Sequence, residues 1–270
     1  MVRLTNNPSA RLSCIIMSAT LHTIHYYPVK SLSAQRLDSV SLVPGECLPQ
    51  DRRFAILHRA SNFDPTAPAW KPKTNFLALV RDEKLATLVA TYDPATCQLV
   101  LNRAGKPVAR GRIDTPTGRM LIDQFLSAYM DGSAAPGPYK LVESGAHNFT
   151  DIPEKAVSLI NLASVKDIER VTQAPVDPLR FRGNLHLAGL PAWTEMGWVG
   201  KRIAIGDTVL DVFKTITRCA AVEVNPDTGE RDMPLIKALK TGFNHVVCGV
   251  YAMVVEGGTV TAGAPVRVLD

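Results

Sequence analysis

Ile203-Ala204-Ile205-Gly206-Asp207-Thr208-Val209-Leu210-Asp211-Val212-Phe213 is dense in β-branched and aliphatic residues and is broken only by Gly and Asp. That is the composition of strand, not of helix. Working outward, runs of the same kind recur between Pro, Gly, Asn and Asp punctuation. In the first half they are Leu21–Tyr27, Leu37–Val43, Arg53–His58, Leu85–Tyr92 and Gln98–Asn102, the last turning through Asn102–Lys106 into a second strand to Arg110. In the second half they are Tyr139–Glu143, Val157–Leu162, Asn184–Ala188, Ala220–Val224, Cys248–Val255 and Val260–Leu269. Many short strands at such spacing predict a barrel or sandwich.

Helices are fewer. Leu121, Phe125 and Tyr129 recur at intervals of four within Gly118–Met130 and predict one apolar face there. Ser164-x-x-Asp167 reads as the cap of a short helix carrying Val165, Ile168 and Val171. Pro234 fits the first turn of a helix over Leu235–Lys240, with Gly242 as its stop. The Gly- and Pro-rich stretch Gly132–Pro138 is the clearest linker. The expected organisation is an N-terminal extension over 1–20, one domain over 21–135 and a second over 136–270. Residues 1–37 hold no acid, and Leu12–Met17 is an apolar patch too short for a secretory signal. The extension is expected to be disordered, or to precede a true start at Met17.

The 270 residues are 46% hydrophobic and 20% charged, a globular composition. Thirty basic against twenty-five acidic residues leave a net charge of +5, mild for this length. That bias fits an anionic small ligand better than nucleic acid. No apolar run approaches the length of a membrane span. The five cysteines are odd in number and form no C-x-x-C pair, so a reducing, cytoplasmic setting is expected. Walker, zincin, nucleophile-elbow and dinucleotide motifs are absent. His245-x-x-Cys248 and His22-x-x-His25 lack second halves and read as structural.

Four segments remain: Tyr27-Pro28-Val29-Lys30-Ser31, Asp51-Arg52-Arg53, Arg180-Phe181-Arg182-Gly183-Asn184 and Thr217-Arg218-Cys219. Each puts a charged or reactive residue near the end of a predicted strand, where ligand contacts collect. Lys and Arg suit phosphate. Cys219, beside Arg218, is the most pointed of these residues. A thiolate there can act as a nucleophile, a persulfide carrier or a soft-metal ligand, whereas an inert reading treats it as a small buried hydrophobe.

Together with Ser158–Ser164, Trp193–Gly200 leading to Ile205-Gly206, Val224–Gly229 and Gly249-Val250-Tyr251, these segments resemble the MOSC family with its N-terminal companion β-barrel domain. The resemblance spans about Leu21 to Leu269. It implies a mainly β (α+β) fold: an N-terminal barrel-like domain plus a MOSC β-barrel with a few short helices. Closest in layout are bacterial MOSC proteins and the mitochondrial amidoxime-reducing component. By that resemblance Cys219 ligates the molybdenum of a pterin cofactor, and Lys30, Ser31, Arg52, Arg182 and Asn184 hold the pterin and its phosphate. Arg218 and Tyr251 complete the rim, with Thr217 and Asn161 as further candidates. The activity implied is reduction of small N-hydroxylated compounds. With one cysteine after Cys219 there is no iron–sulfur extension, so the electrons are expected from a separate donor protein of iron–sulfur, haem or flavin type. MOSC domains also occur fused to pyridoxal-phosphate desulfurases, so the alternative is a sulfur carrier with a persulfide on Cys219. A third reading is a catalytically silent barrel that binds an anionic ligand. The stretch Asn62–Lys73 departs from the companion domain where substrate access is shaped.

Overall fold

The computed structural model describes residues 19–269. The expectations for the extension over residues 1–18 lie outside the described residues. Fifteen strands run in chain order: β1 Thr20–Tyr26, β2 Gln35–Leu37, β3 Ser39–Leu42, β4 Phe54–Leu57, β5 Val89–Asp93, β6 Gln98–Arg103, β7 Lys106–Arg112, β8 Lys140–Glu143, β9 Val157–Asn161, β10 Leu185–Ala188, β11 Lys201–Ile205, β12 Thr208–Thr217, β13 Val247–Glu256, β14 Gly258–Thr261 and β15 Val266–Leu269. Three α-helices accompany them: α1 Pro116–Tyr129, α2 Leu162–Thr172 and α3 Leu235–Phe243. The fold is mainly β, of the α+β kind.

Eight strands form one sheet in the order β15-β11-β12-β13-β9-β10-β1-β2. It is built from strands of both sequence halves, because β1 pairs antiparallel with β10 and carries β2 on its other side. The expected barrel is not closed by a continuous ladder. Instead the sheet curls until β1 meets the approach to β15, through a single bridge between Thr20 and Pro265 and the bonds Leu21 N to Ala264 O (2.9 Å) and Val266 N to Ala19 O (2.8 Å). Nor does the first half make a barrel of its own. Its remaining strands form a three-stranded sheet β5-β6-β7 and two pairs, β14-β3 and β4-β8, each reaching across the sequence.

Leu21, Ile24, Leu159, Leu187, Ile203, Leu210, Val212 and Val250 are all fully buried in the core of the large sheet. Each such side chain contributes roughly 1.5–3 kcal/mol relative to exposure. A second core lies between α1 and the three-stranded sheet, where β5 and β6 alternate, with Ala90, Tyr92, Leu99 and Leu101 inward. The face of α1 differs from the predicted one. Ile122 and Leu126 are buried, whereas Leu121 is exposed and Phe125 and Tyr129 stack on each other at the core's margin. A third core joins α2, α3 and the 3-10 turn Pro178–Phe181. That turn feeds directly into the site.

Candidate functional site

A cavity of about 400 Å³ opens where the loop after β1, the turn before β4, the Pro178–Phe181 turn and the C-terminal end of β12 converge. Lys30, Ser31, Arg52, Arg182 and Asn184 line it together with Thr217, Arg218, Cys219 and Tyr251. Nine of the ten residues expected from sequence are therefore gathered around one space. The tenth, Asn161, is a correction. Its Oδ1 accepts from Ala163 N (3.0 Å) and caps α2, and its Nδ2 donates to Glu195 Oε2 (2.9 Å) and Pro191 O (2.8 Å). Its polar atoms serve the fold, outside the cavity wall.

The inner wall is held by unusual backbone. Ser31, Arg52 and Arg182 all have positive φ (71°, 49° and 52°), a left-handed conformation that side chains other than glycine rarely adopt. Such residues cost of order 1–3 kcal/mol each and persist only where surrounding contacts over-determine them. Those contacts are visible. The guanidinium groups of Arg52 and Arg182 both lie over the ring of buried Tyr27, at 4.7 and 4.3 Å from its centroid. Arg52 donates to Arg182 O (2.8 Å) and pairs with buried Asp51, while Arg182 Nη1 donates to Leu32 O (2.8 Å). Gly183 fits only as glycine, since a Cβ there would stand 2.2 Å from Ile160 Cγ1. The same holds at Gly249 (φ +82°), where a Cβ would meet Leu159 O at 2.4 Å.

Burial pushes the Arg182 guanidinium down to about 10, against the attraction of Tyr27 and with the repulsion of Arg52 added. Burial likewise opposes the charge of Arg52, but Asp51 and Tyr27 outweigh it and raise its pKa. Lys30 is buried, and its Nζ donates to Phe149 O (2.9 Å) and Asp151 Oδ1 (2.6 Å). Burial lowers its pKa while Asp151 opposes the change. In return Lys30 holds the Asp151 carboxyl well below the usual carboxylate range. Asn184 lines the cavity, yet its Oδ1 accepts from Ser158 N and Oγ and its Nδ2 donates to His25 O (3.1 Å).

Cys219 follows β12 and precedes the 3-10 turn Ala220–Glu223, which leaves its sulfur half-buried on the cavity wall. Arg218, its neighbour in sequence, is not the cation at the sulfur. The Arg218 guanidinium donates to Phe181 O (2.7 Å) and Cys248 O (2.8 Å from Nε) and lies over the Phe181 ring. The cation at the sulfur is Lys73, whose Nζ donates to Cys219 Sγ at 3.4 Å. Lys73 and Asp151 are the functional candidates that sequence reading missed. Lys73 opens the short 3-10 turn Lys73–Asn75 and Asp151 sits in an irregular segment, and in neither place does a period or motif mark a side chain as inward. Cys47 and Cys248 are buried, and burial pushes their thiols up to about 11 and about 12.

The pterin cofactor implied by the sequence resemblance can be tested against these atoms. The donor set fits an anionic, soft-metal group: a cysteine sulfur, several cationic side chains and one guanidinium nitrogen, Arg182 Nη2, that is buried without a partner. An unpaired buried donor beside a second guanidinium is costly in an empty site, and a bound anion satisfies it. Among the described residues no group of three or more His, Cys, Asp or Glu is placed to hold a metal ion, so a metal here would rely on Cys219 and on ligands it brings with it. Also among the described residues, no helix is long and apolar enough to cross a membrane.

Residues 144–267 match the MOSC domain. The chain is 34% identical over 246 residues to the molybdenum cofactor sulfurase of Caenorhabditis elegans, covering 87% of this chain and 33% of that protein. It is 21% identical to mitochondrial amidoxime-reducing component 1 of Mus musculus, covering 93% of this chain and 82% of that protein. The chain thus spans about a third of the nematode relative's length. Among solved structures, the YUAD protein of Bacillus subtilis covers 93% of this chain and 95% of its own at 12% identity, with a TM-score of 0.47.

Proposed function

We propose, from the MOSC domain that this chain carries over residues 144–267, that the Cys219 cavity binds a molybdenum pterin cofactor and reduces N-hydroxylated compounds. One observation carries the reading: a half-buried thiol and cationic side chains from both sequence halves share the wall of a single cavity. Cys219 would supply the protein's sulfur ligand, a soft donor suited to such a metal. Arg52, Arg182 and Lys30 would hold the anionic pterin terminus, and Arg182 Nη2 is a buried donor still without a partner. When bound, the cofactor supplies the redox centre for two-electron cleavage of an N–O bond. The balance is two electrons and two protons taken up per N–OH, with water released, and a separate donor protein supplies the electrons. The protein's own part is to orient: the left-handed backbone at Ser31, Arg52 and Arg182 fixes the cradle before any ligand arrives. Four free cysteines among the described residues suit a reducing compartment, and we place the protein in the cytoplasm.

A second reading is favoured by the contact between Lys73 and the sulfur and by the higher identity to the nematode sulfurase. Cys219 would then accept sulfur from a desulfurase persulfide by exchange, leaving a thiol on the donor and a persulfide on Cys219 with no net redox change. The two readings separate on one preparation. Protein from a cofactor-competent host should carry stoichiometric molybdenum and pterin fluorescence, and Cys219→Ser should lose both while keeping its circular dichroism. A metal-free wild type that gains one sulfur on Cys219 after incubation with a desulfurase would replace the reductase reading with the carrier.

A further inference from the structure

We propose that Lys73 and Lys214 form an anion-selecting pair at the cavity mouth, so that the preferred substrates carry an anionic group such as a carboxylate in addition to the N–O bond. This rests on the reductase reading. Among the described residues, Asp151 is the one acid on the cavity wall, against seven basic side chains. Three of the seven are already matched by acids: Lys30 by Asp151, Arg52 by Asp51 and Arg180 by Asp232. Arg182 and Arg218 are tied to backbone carbonyls, where an anionic cofactor terminus would meet them. Lys73 and Lys214 remain, and neither forms a salt bridge among the described residues, although Asp151, already bonded to Lys30, also acts on Lys73 through space.

Their placement distinguishes them from the cradle. Lys30, Ser31, Ser158 and Asn184 are buried, whereas Lys214 and Thr217 are exposed on β12, the strand that leads to Cys219. Depth therefore runs from the cradle outward to the sulfur and the lysines. Lys214 is paired in register with Tyr251 across β12 and β13, and both residues line the cavity. Lys73 reaches the sulfur from the 3-10 turn Lys73–Asn75 between β4 and β5 and uses one of its three donors there. Two ammonium groups around a concave opening focus the field on whatever approaches the sulfur. Being mobile point charges, they favour an anion without dictating its shape.

The pair can be read without the cofactor. Iodoacetate and iodoacetamide alkylate the same thiolate and differ in charge, so the ratio of their rates at one pH reports the local potential at Sγ. Mass spectrometry of the Cys219 peptide should give a higher iodoacetate-to-iodoacetamide ratio than that of Cys97, which lies outside the cavity. Lys73→Met should lower the Cys219 ratio about tenfold, the order expected for one charge contact in a partly desolvated site, and high salt should lower it too. Lys214→Met should shift it the same way and serves if Lys73→Met fails to fold. A ratio equal to that of Cys97, or indifferent to both substitutions, overturns the proposal.

In molybdenum-loaded protein reduced by a viologen dye, the ratio of kcat/KM for para-carboxybenzamidoxime over benzamidoxime should fall in both variants. A loaded enzyme whose ratio ignores the substitutions contradicts the lysine pair alone. A charge-selective sulfur in protein that takes up no molybdenum contradicts the reductase reading and leaves the pair standing.

Discussion

Two guanidinium groups share the ring of Tyr27, and the phenol beneath them is pushed up to about 12, by burial first. It stays neutral and offers its face to both cations. Arg182 is thus a packed residue as well as a ligand candidate. Sequence reading treats it as an exposed phosphate contact, so that Arg182→Glu should empty the site and leave thermal stability nearly unchanged. The structure changes the second half of that expectation. The substitution loses the bond to Leu32 O and the stacking on Tyr27, and it puts a negative charge where Asp51 and Asp151 already act. Molybdenum content should vanish and stability should drop by about 1–3 kcal/mol, visible in the melting temperature. Full molybdenum content in that variant would remove Arg182 from the site. The sequence showed which residue types gather here, because strand ends carrying Arg, Lys and Cys stand out against an apolar background. It did not show their directions, since the partner of Cys219 lies 146 positions away at Lys73.

Elements hold these side chains through buried polar bonds. Glu195 is fully buried, accepts from Asn161 Nδ2 and Ser164 Oγ, and its carboxyl is raised by burial against those bonds. Through them the 3-10 turn Thr194–Trp198 is fastened to the first turn of α2. Glu195→Ala leaves the Ser164 hydroxyl without an acceptor and Asn161 Nδ2 with Pro191 O alone. Urea denaturation should show a loss of about 2–4 kcal/mol with an unchanged m-value, and a loss near zero would mean the network contributes nothing. Ser164 was read as the cap of α2, but Asn161 caps it and Ser164 turns to Glu195. Both have the right chemistry, and only the tertiary partner decides between them. Other boundaries moved for local reasons. The quoted stretch Ile203–Phe213 divides into β11 and β12 at Gly206, whose φ of +59° makes the turn. Ala220–Val224 has strand composition, yet Ala220–Glu223 forms a 3-10 turn between Cys219 and Val224, closed by the bond from Val222 N to Cys219 O (3.1 Å).

At the scale of the molecule, strand existence was legible and sheet membership was not. Runs of β-branched residues mark strands, but nothing local says that β1 pairs with β10 across more than 150 residues. The large sheet also buries His186, stacked near His25 at 4.7 Å with its Nε2 unpaired. Burial, with His25, His22 and Arg218, pushes its pKa from 6.5 down to about 3. Because the folded value lies below the unfolded one, the contribution of the neutral ring is complete above pH 6.5 and is lost as pH falls toward 3. Each pH unit in that window costs up to about 1.4 kcal/mol. Stability measured in urea should therefore decline between pH 6.5 and 3, and His186→Leu should flatten the decline. An unchanged slope would place the titration elsewhere.

The central claim is that one sulfur and one cationic cradle serve a single anionic metal cofactor. Elemental analysis of wild type and Cys219→Ser, both purified from a host that makes the pterin, tests it most directly. The account predicts molybdenum in the first and none in the second, with both folded; equal molybdenum in both, or none in wild type, would contradict it.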